Sequence, residues 1–296
     1  MRLNPYCMCC QINKQEENIR SFEDEEKKII YMKKILRRFA DAEPDESAPA
    51  ISLEFKHLFS EFWGQPLEDY TEIKKDFNLL MLNLEEKLRR MIRSSGDPLE
   101  SALLHARIGN YIDFAALSHV DKEQMLSMIE SENKDPLDKE EYAHFRSDMA
   151  SAQSLVYLLD NCGEIVIDKL AIEILKELYP QVEITAVVRG LPIVNDATME
   201  DAEMCGLTDI VHVAGNGSGI CGTALNDINT ETLSLLNNAD VIIAKGQGNF
   251  ETLNGCGLNI YYLFLCKCDW FVKMFQSELF QGMFVNERRP RLFSSD

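Results

Sequence analysis

Three short polar clusters in the second half of the chain combine carboxylate, amide and ammonium groups. They are Asp160-Asn161-Cys162-Gly163-Glu164, Arg189 with Asn195-Asp196-Ala197-Thr198, and Lys245-Gly246-Gln247-Gly248-Asn249-Phe250-Glu251. Two carboxylates and an amide oxygen are hard ligands of the kind that Mg²⁺ or Mn²⁺ prefers. Such a cation clamps phosphoryl oxygens and polarises phosphorus. The residue types therefore favour a metal-assisted phosphate site.

The third cluster adds the positive charge that a phosphate site needs. Lys245 supplies a point charge for a phosphate oxygen, and Gly246 and Gly248 allow backbone N–H groups to come close to it. The chain as a whole has a formal charge of −19, from 49 acidic and 30 basic residues. A field of that sign repels phosphorylated substrates, nucleic acids and anionic membranes. We therefore expect no nucleic-acid or membrane partner, and a phosphate site whose positive charge is local.

The elements that must position these clusters follow from hydrophobic periodicity. Apolar runs and helical segments alternate from Ser154 onward, with runs at Leu155–Leu159, Val182–Val188, Ile210–Val213, Val241–Ala244 and Ile260–Leu265. This alternation predicts a mostly parallel sheet with helices on both faces. Ligands of such a sheet bind beyond the carboxyl ends of its strands, which is where all three clusters stand. Asp-Asn and Lys-Gly pairs after strands are often only turns or caps. Function is indicated because all three clusters stand at the ends of predicted strands.

The first half of the chain shows helical spacing and no strand signal. Helices are predicted at Glu25–Ala42, Phe77–Ile92, Asp121–Glu130 and Lys139–Met149, and from Pro98, capped by Asp97, towards Tyr111. Residues 42–50 hold two prolines and several acids, which is typical of a loop. The expected organisation is a helical domain over residues 1–150 and an α/β domain over residues 151–296.

The polar clusters also resemble the motifs of a known family. Residues 160–168, 195–202 and 245–251 are similar to the three C-terminal motifs of the damage-control phosphatase family, also called the acidic-residue methyltransferase-like family. Residues 106–113 are similar to its helical Gly-Asn-x-x-Asp motif, and Cys7-x-x-Cys10 resembles its prokaryotic-type branch. The motifs run in family order from residue 5 to about 268, and they are specific as a set.

This resemblance implies an all-helical N-terminal region on a Rossmann-like three-layer α/β/α sandwich. It implies a divalent metal (Mn²⁺, Ni²⁺, Co²⁺ or Mg²⁺) held by Asp160, Asn161 and Asp196, and a phosphate contact at Lys245. Further residues near the site match family motif positions: Asn110, Asp113, Glu164, Asn249 and Glu251. The family hydrolyses phosphomonoesters, including sugar phosphates and damaged phosphometabolites. Cys162 stands where a small residue such as Ala is expected.

The expected mechanism relies on positioning and charge neutralisation, as in other phosphoryl transfers. The metal and Lys245 would bind phosphoryl oxygens, while Asp160 or Asp196 either attacks phosphorus or positions a water molecule. The sequence does not choose between these two catalytic routes. Two alternative functions stay open, a carboxyl methyltransferase suggested by the family's second name and a non-catalytic metal- or metabolite-binding module.

Four cysteines near the two ends of the chain could form a second metal site. Cys266 and Cys268 point to the same face of a predicted strand, and chain termini often lie close together, which would bring Cys7 and Cys10 to them. Four thiolates suit zinc. The alternative is that each cysteine packs as a small hydrophobic residue.

A glycine-rich segment raises the question of a dinucleotide-binding site. Residues 217–222 match a dinucleotide fingerprint, but polar residues prolong the loop where a true fingerprint opens a helix. We therefore expect a loop that lines the substrate pocket.

The N-terminus has no apolar stretch of the kind that a secretory signal needs. The nine irregularly spaced cysteines indicate reduced thiols, so we expect a cytoplasmic protein.

Overall fold

The computed structural model describes residues 1–43, 45–67, 69–112, 123, 127 and 135–289. The chain forms two compact units, Met1–Asp69 and Tyr70–Asp296. The first unit contains the helices α1 (Pro5–Ile19), α2 (Glu25–Ala40) and α3 (Ala48–Trp63). Its core is built from buried aliphatic and aromatic side chains that include Tyr31, Ile35 and Phe59. In the described part of the chain, no helix combines the length and the apolar character that crossing a bilayer requires.

The second unit carries all strands found in the described residues. Its elements follow in the order α4 (Thr71–Ser94), α5 (Pro98–Gly109), α6 (Lys139–Ser151), β1 (Ser154–Leu158), α7 (Glu164–Leu178), β2 (Glu183–Val188), α8 (Met199–Met204), β3 (His212–Gly215), α9 (Thr230–Asn238), β4 (Val241–Lys245), α10 (Gly246–Leu253), β5 (Ile260–Leu265), α11 (Asp269–Phe275) and β6 (Gly282–Asn286). The five strands expected from apolar runs are all present, shifted by no more than about two residues.

One sheet contains these strands in the order β3-β2-β1-β4-β5-β6. The first five strands are parallel, and β6 pairs with β5 antiparallel. The winding reverses at β1, which has β2 on one side and β4 on the other. At this switch point Leu158 of β1 lies beside Ala244 of β4, so the loops that follow the two strands flank one crevice.

Helices cover both faces of the sheet because alternate side chains of its central strands are buried on opposite sides. On one face, Tyr157 of β1 and Tyr261 of β5 belong to a core shared with α5 and α7. On the other face, Tyr262 and Phe264 of β5 pack against Phe250 of α10, with ring centroids 4.8 and 5.5 Å apart. This arrangement confirms the predicted α/β fold class, a three-layer α/β/α sandwich.

Several elements differ from the sequence-based expectation. The compact units divide at residues 69 and 70, because α4 and α5 pack against α7; the expected division near residue 150 marks only where the strands begin. The expected loop over residues 42–50 ends at Ala48, the first residue of α3. Strand β6 was not expected, since it is a partly exposed edge strand without a continuous apolar run. The predicted helix Asp121–Glu130 lies outside the described residues, except at positions 123 and 127.

Candidate active site at the switch point of the sheet

The loop between β1 and α7 turns sharply at Gly163, directly before the helix. Gly163 has a φ of 69°, a left-handed conformation that glycine adopts at no steric cost. A Cβ atom there would lie 3.0 Å from Ile112 Cδ1 and 3.2 Å from the Phe77 carbonyl oxygen. The turn places Asp160 and Asn161 at the carboxyl end of β1, where they are 6% and 1% exposed.

Main-chain hydrogen bonds bring the loop before α8 against this turn. The Ala197 N–H donates to the Asp160 carbonyl at 2.7 Å, and the Cys162 N–H donates to the Asn195 carbonyl at 2.8 Å. Asn161 and Asp196 thereby form an isolated antiparallel bridge. The structure thus brings together the three predicted metal ligands, which come from two crossover loops.

Arg189, the residue directly after β2, links the two carboxylates of that set. Its Nε donates to Asp196 Oδ2 at 2.7 Å and its Nη2 donates to Asp160 Oδ1 at 3.2 Å. Burial by itself would lower the pKa of Arg189, but the Asp196 and Asp160 carboxylates raise it above its ordinary value. Arg189 stood with the second polar cluster in the sequence but was not predicted as a site residue, although its charge at the carboxyl end of a strand was a signal for it.

Two side-chain amides hold the other oxygen of Asp160. Asn161 Nδ2 and Asn110 Nδ2 donate to Asp160 Oδ2 at 2.8 and 3.0 Å. Both amides also donate to Glu164 Oε2, at 2.9 and 3.2 Å. Asn110 reaches the site because α5, capped at its start by Asp97, ends at Gly109. The end of α5 thus contributes Asn110 to the site, whereas the predicted site residue Asp113 lies outside the described residues.

Lys245, the last residue of β4, is fully buried and makes three short contacts. Its Nζ donates to Glu164 Oε1 at 2.5 Å, to Asp168 Oδ1 at 2.6 Å and to the Ala106 carbonyl at 2.9 Å. An ammonium group has three N–H donors, so all of them are committed to protein acceptors. A phosphate contact by Lys245, as predicted from the sequence, would require one of these bonds to be exchanged, and it stays a prediction.

Asp168 completes this charge cluster from one turn further along α7. Its Oδ1 also accepts from the Tyr157 hydroxyl at 2.7 Å, whereas its Oδ2 has no hydrogen-bond partner among the described residues. Burial raises the pKa of Asp168 to about 7, and the neighbouring Glu164 carboxylate adds to the shift while Lys245 opposes it. Asp168 fell inside a family motif but was not predicted as a site residue.

The first turn of α10 packs directly on the Asp160 carboxylate. Asn249 is fully buried there, where its Nδ2 donates to the Lys245 carbonyl at 2.7 Å and its Oδ1 accepts from Thr223 Oγ1 at 2.7 Å. Asn249 Oδ1 also accepts from Arg189 Nη1 at 3.4 Å, so this predicted residue belongs to the cluster. Glu251 is half-buried on the same helix, close enough to Cys268 to help burial raise the pKa of that thiol.

The glycine-rich segment over residues 217–222 forms a loop, and the next helix begins only at Thr230. A Cβ atom on Gly222 would lie 2.4 Å from the Gly248 carbonyl oxygen. Together with the Thr223–Asn249 hydrogen bond, this contact places the end of the loop against the first turn of α10. Residues 217–222 thus form a loop at the edge of the site and do not open a helix as a dinucleotide fingerprint would.

The nine cysteines, all of them within the described residues, form no disulfide. Cys7 and Cys10 belong to the first compact unit, whereas Cys266 and Cys268 belong to the second. The predicted four-thiolate site therefore stays a prediction, as does the link of the Cys7-x-x-Cys10 pair to one family branch. Cys162 is fully buried in the β1–α7 turn, and burial raises the pKa of its thiol far above the ordinary range.

The buried cluster carries an excess of negative charge. Its four carboxylates are Asp160, Glu164, Asp168 and Asp196, and its two cations are Arg189 and Lys245, all no more than 6% exposed. Four negative charges less two positive charges leave a balance of −2 when every carboxylate is ionised. No group of three or more His, Cys, Asp or Glu side chains within the described ranges is arranged as a metal site; the predicted ligand set has two carboxylates and an amide instead.

Comparisons with known proteins agree over nearly the whole chain. A family model described as "Damage-control phosphatase ARMT1-like domain" matches residues 3–281. A damage-control phosphatase from Archaeoglobus fulgidus is 32% identical over 206 residues, 68% of this chain and 70% of that protein. Another from Pyrococcus horikoshii is 30% identical over 276 residues, 90% of this chain and 92% of that protein.

A solved structure supports the same assignment at the level of the fold. The crystal structure of a DUF89 family protein from Pyrococcus horikoshii has a TM-score of 0.77 and 27% sequence identity to this chain. The similarity covers 97% of this chain and 99% of that one. With the family model and both relatives in agreement, the chain belongs to the damage-control phosphatase family.

Proposed function

We propose that this member of the family hydrolyses a small phosphorylated metabolite and that it requires a divalent cation held by Asp160, Asn161 and Asp196. One observation carries the proposal: the carboxylates of Asp160 and Asp196 converge on a single guanidinium. We infer that two carboxylates which share one cationic partner can bind a divalent cation in its place.

The chemistry of the donors fits a hard divalent ion. The proposed ligands offer only carboxylate and amide oxygens, which suit Mn²⁺ or Mg²⁺. Above the raised pKa of Asp168, the buried cluster has a charge balance of −2, which a divalent ion would neutralise, and buried charges are either paired or bound to metals. When bound, the cation would polarise phosphorus and offset charge on the phosphoryl oxygens.

The protein groups around this set orient the reacting carboxylate. The amides of Asn110 and Asn161 hold Asp160 Oδ2, which fixes the direction of Asp160 Oδ1. We assign to Asp160 or Asp196 the role of nucleophile or of the base that positions a water molecule. Arg189 supplies the local positive charge that a phosphorylated substrate needs, because the net negative charge of the chain repels it. The composition of nine thiols supports the cytoplasmic location expected from the sequence.

A phosphate-release screen with the full chain tests this function. The substrates would be sugar phosphates and nucleotides, each with Mn²⁺, Ni²⁺, Co²⁺ or Mg²⁺ or with a chelator. We expect metal-dependent release, and a loss of at least about 100-fold in kcat/KM for D160N and D196N. The exposed acid Asp209 provides the matched control, because D209N makes the same chemical change away from the site.

Three outcomes would contradict the proposal. Full activity of D160N would exclude Asp160 from the reaction, and undiminished release in the presence of chelator would exclude the divalent cation. Metal binding without turnover across the whole panel would support the non-catalytic binding module instead.

A further inference from the structure

We propose that Arg189 is a positioning residue that serves as the internal counter-ion of the metal site, holding the Asp160 and Asp196 carboxylates until a divalent cation replaces it. The inference rests on the proposed function and goes beyond it, because it assigns a role to a residue outside the proposed ligand set. Its role would be to keep two neighbouring carboxylates charged and correctly oriented in the cation-free protein.

The contacts of Arg189 are those of a buried side chain and not those of a surface ion pair. The side chain is 1% exposed, and its three nitrogens donate to Asp196, Asp160 and Asn249. A planar guanidinium can bridge two carboxylates in this way, whereas an ammonium acts as a point charge. Two carboxylates brought together without a cation would repel each other.

The backbone around the site is held independently of the Arg189 side chain. The Arg189 N–H donates to the Ala197 carbonyl at 2.9 Å, and the Ala197 N–H donates to the Asp160 carbonyl at 2.7 Å. Gly190 fixes the chain after Arg189, since a Cβ atom there would lie 2.2 Å from Gly217 N. The backbone segments that carry the two carboxylates are therefore held without the guanidinium, so the guanidinium can be replaced without loss of the fold.

Charge repulsion makes the two cations competitors. A divalent ion bound by the same carboxylates would stand within a few ångströms of the guanidinium, where like charges in a buried site repel strongly. Arg189 would then release Asp160 and Asp196, and its N–H groups would become available to phosphoryl oxygens, which the guanidinium fork fits well. The same residue would thus weaken metal binding and strengthen substrate binding.

Calorimetric titration of the metal-free full chain with Mn²⁺ separates this role from a merely structural one. In R189Q we expect Mn²⁺ to bind about tenfold more tightly, because a competing charge is gone, while KM for a phosphomonoester rises. R189K keeps the charge and should return the Mn²⁺ affinity to within about threefold of the parent. R93Q is the control, since Arg93 pairs with Glu177 on an exposed surface of the same compact unit.

A weaker or unchanged Mn²⁺ affinity in folded R189Q would overturn the proposal, because it would mean that Arg189 only supports the carboxylates. If R189Q does not fold, the parent protein decides: the Arg189 Nε–H resonance, assigned by its absence from R189K, must shift when Mg²⁺ saturates the site. An unmoved resonance overturns the proposal as well. Failure of the parent itself to bind Mn²⁺ would refute the proposed function and this inference together, whereas normal parent binding and turnover would leave that function intact whatever Arg189 does.

Discussion

Gly246 and Asp160 approach so closely that a Cβ atom on Gly246 would lie 1.9 Å from Asp160 Oδ2. Gly246 starts α10 directly after β4 and has a φ of 78°, which side chains other than glycine rarely adopt. A hydrogen atom at this one position is what allows the backbone after β4 to pack on the carboxylate that follows β1. The absence of a side chain at residue 246 therefore sets the position of a proposed metal ligand.

Replacing this glycine should displace the Asp160 carboxylate without unfolding the protein. For G246A we expect Mn²⁺ affinity and phosphate release to fall by about 100-fold, because small displacements of reacting groups have effects of that size. The matched control is G257A, since Gly257 has the same φ of 78° and a Cβ atom there would have no other atom within 4 Å. Both variants would carry the backbone strain of about 1–2 kcal/mol, so equal activity losses in the two would contradict the role of Gly246.

Removal of the buried ammonium of Lys245 should destabilise the protein strongly. K245M leaves the Glu164 and Asp168 carboxylates buried without their cation, and breaking a buried pair in this way costs about 3–5 kcal/mol. Urea unfolding followed by circular dichroism measures this change in the free energy of unfolding. The double variant K245M/D168N should be less destabilised than K245M, because one of the two uncompensated charges is gone.

The exposed pair of Arg93 and Glu177 provides the reference for that experiment. These side chains are 43% and 53% exposed, and surface pairs contribute about 0–1 kcal/mol. A K245M variant no less stable than R93Q would show that the Lys245 cluster does not hold the switch point together.

The raised pKa of Asp168 predicts a dependence of stability on pH. In the folded protein this pKa is about 7, against 3.8 for an exposed Asp. Between these values the folded state binds the proton more tightly than the unfolded state, so the contribution of Asp168 to stability falls as pH rises through this window. Three groups face Asp168: Glu164 on the same helix, Lys245 at the end of β4 and Tyr157 of β1.

D168N removes this titration, so it is the reference with which the parent protein is compared. We expect the parent to lose stability relative to D168N as pH rises from about 5 to about 7, with a constant difference above about 8. Urea unfolding of both proteins at a series of pH values measures the difference. Parallel stability curves over the whole range would show that Asp168 is already ionised at pH 5 in the folded protein.

Asn78 on α4 ties the β1–α7 turn to the start of α8. Its Oδ1 accepts from the Gly163 N–H at 2.6 Å, and its Nδ2 donates to Asp201 Oδ1 at 2.8 Å. N78A would leave the buried Gly163 N–H without its partner, at a cost of about 1–3 kcal/mol, whereas Asp201 keeps its ion pair with Lys74. We expect a lower melting temperature together with a reduced kcat, since the turn that carries Asp160 is loosened.

Asn83 makes a control on the same helix, because its side chain is exposed. N83A should change the melting temperature and kcat little. A kcat that stays at the parent value in N78A, despite lower stability, would show that the turn is held by its own backbone contacts.

Sequence patterns predicted those elements that depend on a single local feature, such as an apolar run or a helix cap. The five parallel strands follow from continuous apolar runs, because strands buried on both faces leave no polar positions. The start of α5 follows from the cap at Asp97, whose side chain accepts from two backbone N–H groups. Edge strand β6 could not be recognised in this way, since only part of its surface is buried.

The same patterns predicted which residues meet, but not how they pair. Asp160, Asn161 and Asp196 were expected together because carboxyl ends of adjacent parallel strands share one edge. Lys245 was expected to face a phosphate, whereas its Nζ lies between Glu164 and Asp168. The partner of a long cationic side chain depends on which acceptors lie within a few ångströms, and those come from segments far apart in the chain.

By itself, then, the amino-acid sequence determined the order of strands and helices and the set of polar residues that stands at their ends, because backbone periodicity and caps act over a few neighbouring residues. Only the tertiary structure decided that Arg189 bridges Asp160 and Asp196 and that the Asn110 amide reaches across to Asp160 Oδ2. These contacts depend on distances between separate elements, which are set by the packing of helices on the sheet and which no local pattern encodes.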